Sequence, residues 1–444
     1  MEVTRTAIFL TASRLGDLTA PLLYLSFAGH YMVNSLGHAS LAWAYISFLT
    51  VVGIGIFSIM LTADAGSANL NADETEAHLI ISLRLAYLLG ISIAIGLALY
   101  VYISPSDRSN SEQAHALLTL SLSLPASYLQ IVIFNFFTTV KKTEYELIYI
   151  WTLNAIFCLT CIILITTNAD IDLIKFTLIY SNLRWLFAGA ALVLFNKEIH
   201  KYIPEFQHSR HIPVRKYKKY LINGLPLALC IGGESLLFFL LSLISNNLDH
   251  FSLSAYQASL NFLSFVYMIA IGMGNAIGIA CARHHIQKDL DSLRATYTHG
   301  LKLGLFTIAP VLLVCYFLND YISIIYTSHI ETRKLIEKNI LISIPFLAFE
   351  YIYVITRMTL RGMGDFWVPT LLTVSSLNIV GIICAIGLLS FYDDSVHSIF
   401  LALVICSLLL MLLLTWRLTY KFHHYPHRQI KQRPTSKISD TIAS

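Results

Sequence analysis

Twelve long stretches almost free of charge run through this chain, and they leave it few ways to fold. A bilayer crossing needs roughly 20 consecutive apolar residues, and in lipid a segment of that length satisfies its own backbone only as a helix. In the first half the stretches cover residues 15–36, 40–64, 79–103, 114–139, 146–167 and 174–195. In the second half they cover 220–246, 252–282, 297–319, 338–360, 368–391 and 396–420. None shows the apolar–polar alternation of a strand. The fold class expected is therefore an all-α polytopic membrane protein of twelve transmembrane helices. Composition agrees: 56% of the residues are hydrophobic and only 13% charged, against about 25% charged in soluble domains.

The few charges orient the chain. Lys197, Lys201, Arg210, Arg215, Lys216, Lys218 and Lys219 gather between the sixth and seventh stretches. Arg283, Lys288 and Arg294 follow the eighth, Lys141 and Lys142 follow the fourth, and Lys421, Arg428, Lys431, Arg433 and Lys437 fill the tail. Odd-numbered connectors are poor in basic residues, apart from Arg333, Lys334 and Lys338. The positive-inside bias places both termini and the central connector in the cytoplasm. The expected organisation is an N-lobe at 1–195, a basic connector at 196–219, a C-lobe at 220–420 and a basic, disordered tail at 421–444. The segment before Arg14 is too short and polar for a cleaved signal, and a bacterial inner membrane is the expected location. Basic residues in short loops rather than on one folded face do not suggest nucleic acid.

The halves repeat one another. Leu36-Gly37-His38-Ala39-Ser40-Leu41 is echoed by Leu248-Asp249-His250-Phe251-Ser252-Leu253, and Ala20-Pro21-Leu22 by Leu225-Pro226-Leu227. Ser123-Leu124-Pro125 is echoed by Ser343-Ile344-Pro345, and Leu153-Asn154 by Leu377-Asn378. The members of these pairs stand 212, 205, 220 and 224 residues apart, in the same chain order. An even number of spans per repeat relates two six-helix lobes by a pseudo-two-fold axis along the membrane normal. Alternating-access transporters use that design, with the site between the halves near the midplane.

Within lipid, ionisable groups are costly and become functional candidates by default. Glu234 in the seventh stretch and Glu350 in the tenth have no Lys or Arg within one helical turn in the sequence. Such a carboxylate must be neutralised before it moves through a closed state, which is the behaviour of a proton- or sodium-coupling group. The plainer reading is a protonated side chain bonding a neighbouring helix. At the repeat positions of Glu350 and Glu234 the first half has Gln130 and Gly29, so the acidic pair is confined to the second half. Gln257 and Asn261 share one helix face with Ser264, as cavity lining beside Glu234 or as interhelical bonds. Asn154 and Asn378 divide between ligand and glue, while Gln130 and Tyr353 complete the candidate substrate contacts. Arg357 reads as a side chain snorkelling to the interface, and Gly272, Gly274 and Gly278 as close-packing positions.

Other features point to no chemistry. Cys158 and Cys161 form a CxxC in an apolar helix without a second pair or a nearby His; they read as core residues, as do Cys230, Cys281, Cys315, Cys384 and Cys406. His284-His285 and His423-His424 with His427 lie in solvated basic segments, and the acidic connector with Asp64, Asp73, Glu74 and Glu76 reads as a solvated loop. No phosphate-binding GxxxxGK[ST] loop is present, nor any recognisable nucleophile–His–acid set. Neither an ATP-driven pump nor an enzyme is expected, and no cofactor or metal beyond a coupling H⁺ or Na⁺.

Gly224-Leu225-Pro226, Glu234, Phe238, Tyr256-Gln257 and Asn261 resemble the seventh and eighth helices of multidrug and toxic compound extrusion (MATE) transporters. Leu360-Arg361-Gly362-Met363-Gly364-Asp365 with Pro369 resembles the signature after helix ten, and Pro21 with Leu36-Gly37 and Leu41-Ala42 resembles the first helix and its loop. The resemblance covers nearly the whole chain. It implies a two-lobed antiporter that exports organic cations and other amphiphiles against proton or sodium entry. It assigns Glu234 and Glu350 to the coupling acids of the NorM-like branch, and Gln257 and Asn261 to its polar helix-eight positions. The aspartate common in the first helix is replaced by Gly29, and the usual Gly-Asp-Thr reads Gly364-Asp365-Phe366. These departures favour coupling through the C-lobe. The expected cargo is a small molecule carried by a monomer in a lipid bilayer. The alternatives are an exporter dedicated to one metabolite such as a siderophore or peptide, a lipid-linked saccharide flippase, and a non-transporting membrane scaffold. A flippase would be expected to place several Arg or Lys residues in its cavity for pyrophosphate, and the chain shows few.

Overall fold

The computed structural model describes residues 2–58, 72–103, 111–140, 142–167, 171–203, 206, 212–391 and 395–424. For 2–11, 72–75, 111, 219, 223, 226, 227, 230, 250 and 305 it describes the backbone alone. The acidic connector around Asp64, the basic residues Lys141 and Arg210, the Cys230 side chain and the tail beyond His424 thus lie outside what is described.

The described parts of all twelve apolar stretches are helical, and no strand occurs among the described residues. The first half comprises α1 (Glu2–Tyr31), α2 (Leu36–Phe57), α3 (Ala72–Ile103), α4 (Ser111–Ser121), α5 (Leu124–Thr139), α6 (Glu144–Thr166) and α7 (Leu173–Ile199). The second comprises α8 (Val214–Asn246), α9 (His250–Ile286), α10 (Leu290–Phe317), α11 (Asn319–Tyr326), α12 (Ile330–Ile342) and α13 (Ile344–Gly362). It closes with α14 (Trp367–Val374), a π-helical stretch (Ser375–Val380), α15 (Gly381–Phe391) and α16 (Val396–His423). Nine helices among the described residues are long and apolar enough to cross a membrane, or ten when α12 and α13 count as one bent span. Helices α1 and α8 cover the first and seventh stretches, and within α8 the segment Ile231–Asn246 is a shorter apolar helix.

Helices begin and break where side chains dictate. Asp172, Asp249 and Asp289 stand just before α7, α9 and α10, and their carboxylates accept from the backbone N–H of Lys175, Ser252 and Ser292. Each thus satisfies an otherwise orphaned donor of the first turn. The bond from the Ser292 backbone holds the exposed Asp289 carboxyl below the usual carboxylate range. The two Ser-x-Pro motifs act alike. Pro125 and Pro345 lie in the first turns of α5 and α13, where a missing N–H costs nothing. Ser123 and Ser343 close the preceding turns by donating to Leu120 O and Asn339 O. At the second motif the axis bends by 47°.

The repeat is visible in hydrogen bonds as well. Asn154 of α6 donates to Gly16 O of α1 at 2.6 Å, and Asn378 of the π-helical stretch donates to Gly233 O of α8 at 2.7 Å. Small residues let helices touch elsewhere: a Cβ on Gly278 would lie 2.9 Å from Met358 O, and one on Gly362 2.5 Å from Gly278 O. Helices α9 and α13 are therefore crossed at backbone contact, consistent with the packing role read for Gly274 and Gly278.

Helices of the two halves meet along α1, α2, α8 and α9, where Phe48 stacks on Phe239 with ring centroids 4.8 Å apart. A second contact closes the far end of α1. Ser26 donates to Ile325 O at 2.6 Å, and Thr327 donates to Gly29 O at 2.9 Å. A Cβ on Gly29 would stand 1.9 Å from Tyr326 O. Gly29, read in the sequence only as a missing acid, thus occupies a place with no room for a side chain.

Candidate functional site

Among the described residues, ionisable side chains gather within the helix bundle of each half, and Asp365 is held separately by Arg417 and Lys421. In the second half α8 supplies Glu234, α9 supplies Tyr267, and α13 supplies Glu350, Tyr353 and Arg357. Arg357 forms a close ion pair with Glu234. Its Nη2 also donates to Tyr267 Oη at 3.4 Å, and Tyr267 in turn donates to the second oxygen of Glu234 at 3.4 Å. Tyr353 donates to Glu350 Oε1 at 3.2 Å, and the guanidinium lies over the Tyr353 ring, 5.9 Å from its centroid. Among the described residues the Nε of Arg357 has no acceptor. Two carboxylates share one guanidinium here, so with both ionised the group carries one net negative charge.

These contacts correct two expectations. Glu234 is not without a partner, and Arg357 does not snorkel: it is 2% exposed, among the most deeply buried side chains in the chain. One cause explains both. Arg357 stands two turns beyond Glu350 on α13, but its carboxylate comes from α8, a helix more than a hundred residues away in sequence. A search for charges within one turn cannot see such a pair. Glu350, 4% exposed, bonds only a phenol among the described residues.

The polar stripe on α9 lies elsewhere. Gln257 donates to Ser242 Oγ of α8 at 2.6 Å. Asn261 accepts from Tyr326 Oη at 2.8 Å and reaches Leu18 O at 3.5 Å. Both are buried and join helices, and the α9 residue beside Glu234 is Tyr267. Asn154 is likewise occupied in holding α6 to α1.

Gln130 belongs to the second gathering. It accepts from Arg184 Nη1 of α7 at 2.8 Å, and its own amide donates to the Arg184 carbonyl at 3.2 Å. Arg184 Nε donates to Tyr180 Oη at 2.9 Å, and the guanidinium lies 5.5 Å from that ring's centroid. Nearer the start of α1, Arg14 pairs with Asp17 at 3.0 Å and faces Glu146 at 3.7 Å. Sequence reasoning followed intramembrane acids and passed over Arg184. The signal that marks it is the same high cost of any charge within an apolar span.

Among the described residues no three or more His, Cys, Asp and Glu side chains cluster as a metal site would require. What the fold and these groups define is a polytopic, all-helical membrane protein with charge held inside its helix bundles. Residues 226–386 match the MatE family model. The probable multidrug resistance protein NorM of Halalkalibacterium halodurans is 25% identical over 213 residues, 48% of this chain and 46% of that protein. The multidrug resistance protein NorM of Aliivibrio fischeri is 27% identical over 142 residues, 32% of this chain and 31% of that one. The chain thus spans less than half the length of the curated relatives it matches. Whole-chain likeness is clearest in the fold. A multidrug resistance MATE family transporter of the MOP superfamily, in an inward-facing conformation, superposes with a TM-score of 0.73 at 13% identity, covering 93% of this chain and 94% of the other. The eukaryotic MATE transporter AtDTX14 gives 0.70 at 14% identity, covering 94% and 95%. Over residues 226–386 the chain is thus similar to the MatE family, and the curated proteins it resembles include several named NorM.

Proposed function

We propose that this chain is a cation-driven antiporter that exports amphiphilic small molecules, organic cations among them, by alternating access. The observation that carries the reading is Glu350: a carboxylate 4% exposed inside a membrane helix, bonded to one phenol, in a group whose charge is not balanced. Glu234 and Glu350 take up H⁺ or Na⁺ from outside, which discharges the group and weakens cargo binding in the same half. The cargo leaves outward, the neutralised half turns inward, and loss of the cation to the cytoplasm readies it again. Competition of two ligands for one group supplies the reciprocal coupling that exchange requires. Each positive charge moving inward contributes about 2.3 kcal/mol per 100 mV of membrane potential. The proposal includes twelve crossings in two lobes, both termini in the cytoplasm of a bacterial inner membrane, and a monomer as the working unit. The NorM-named relatives support export of drugs as the starting assumption for cargo.

Transport of a fluorescent organic cation in proteoliposomes, under pH and sodium gradients imposed separately, tests the reading. One of the gradients is expected to drive uptake, and Glu350→Gln to abolish it, a loss of about a hundredfold or more given the cost of an unmatched charge in lipid. Wild-type protein indifferent to both gradients would sink the antiporter reading.

A further inference from the structure

We infer that Arg184 and the phenols around it form a binding site for an oxyanion, so that the molecule carried presents a carboxylate, sulfonate or phosphate group to the N-terminal half. This deepens the transport reading and rests on it for the word "carried"; the site itself does not. A guanidinium inside an apolar span is costly unless a counter-charge answers it. Arg357 has such an answer in Glu234. Arg184 has none: its partners are the Gln130 amide oxygen and the Tyr180 hydroxyl, both neutral. The acid facing it is Asp17 on α1, and that carboxylate is bonded to Arg14, which also faces Glu146. No carboxylate comes within ion-pair distance of Arg184 among the described residues.

The surroundings offer a donor without an acceptor. Arg184 donates through Nε and Nη1 to the two neutral groups named above. The Tyr149 side chain faces the guanidinium, and its buried hydroxyl has no hydrogen-bond partner among the described residues. A buried donor left unmatched in this way is destabilising; an oxyanion, with acceptor lone pairs only, is the ligand that satisfies it and the guanidinium together. Arg184 is itself only half-buried, so the site is not sealed. A simple organic cation gains nothing from this site, so among the amphiphiles proposed as cargo it favours those that also bear an anionic group.

The test is equilibrium binding to the full chain in lipid nanodiscs, with no gradient, of two probes. One is a xanthylium dye bearing a free carboxylate and the other is its methyl ester, both followed by fluorescence anisotropy. Wild type is expected to prefer the acid, and Arg184→Gln to weaken the acid about ten- to a hundredfold, the range for a hydrogen bond to a charged group, while leaving the ester unchanged. Arg184→Lys retains part of the preference. Gln130→Glu supplies an internal carboxylate, occupies the guanidinium and removes the preference while keeping the fold. Equal binding of acid and ester by wild type, a parallel loss of both in Arg184→Gln, or no binding of either dye overturns the inference. Because no gradient is involved, failure of driven transport leaves this result standing, and the reverse also holds.

Discussion

Each half of the molecule holds an arginine among its helices, and the two arginines are met differently. Arg357 is met by the carboxylate of Glu234, with Glu350 two turns along its own helix. Arg184 is met by the amide of Gln130 and the hydroxyl of Tyr180. The frames around them match closely: a Ser-x-Pro break opens the helix that carries Glu350 or Gln130, and an asparagine ties a neighbouring helix to a glycine carbonyl. Geometry is thus shared where backbone contact imposes it, and charge is free to differ where a side chain can meet a small ligand. The C-terminal half holds a carboxylate, Glu350, beyond the one its arginine pairs. The N-terminal half holds donors suited to an anion.

The largest effect expected from breaking this contrast is on stability. Arg357→Gln leaves Glu234 without its cation, and orphaning a buried charge costs roughly 3–5 kcal/mol. Glu234 keeps 21% of its side-chain surface, so the lower end, about 3 kcal/mol, is expected. Arg184→Gln orphans no charge and should cost only about 1 kcal/mol, the net value of a typical hydrogen bond. Denaturant unfolding in mixed micelles measures both, and adding Glu234→Gln to Arg357→Gln should recover most of the larger loss. Equal costs for the two single variants would mean that the halves are not differently charged in the way described.

How far the contrast was legible in the sequence depends on where the partner of each residue comes from. Helices, the repeat and the confinement of Glu234 and Glu350 to one half follow from hydropathy and spacing, which are properties of one segment at a time. The Arg357–Glu234 pair and the Tyr267 bridge join three helices, and no local window contains them. Arg184 and Gln130 are likewise on different helices, so the first half showed only the amide. Helix ends were misjudged for a similar reason. α1 begins at Glu2 rather than near residue 15, because hydropathy marks the lipid-crossing part and the backbone continues beyond it.

Gly29 sharpens the comparison at intermediate size. In a matching half an acid would be expected here, but the place is filled by the Tyr326 carbonyl of the other half. Gly29→Ala should push α1 from α11 and loosen the contact made by Ser26 and Thr327. Labelling of Ser26→Cys by a membrane-impermeant maleimide reports that opening. A rise of about fivefold in labelling rate, equivalent to a population shift of roughly 1 kcal/mol, is expected on adding Gly29→Ala. No change in labelling would mean that the contact does not hold the two halves together at this end.

The smallest expected difference is between Asn154→Ala and Asn378→Ala, and its smallness is the point. Each asparagine donates to a glycine carbonyl on the first helix of its half, and in each the Oδ1 atom is buried without a partner among the described residues. Interhelical bonds of this kind in membranes contribute about 0.6 kcal/mol on average and about 1.7 at most. If both residues serve only the frame, the two variants lose stability within that range and within a few tenths of each other. Binding of the carboxylate dye should then be unchanged in both. Asn154 also stands in the half that holds Arg184, so a selective loss of dye binding in Asn154→Ala would make it a ligand as well as a tie. That outcome would extend the difference between the halves from charge to the shared frame itself.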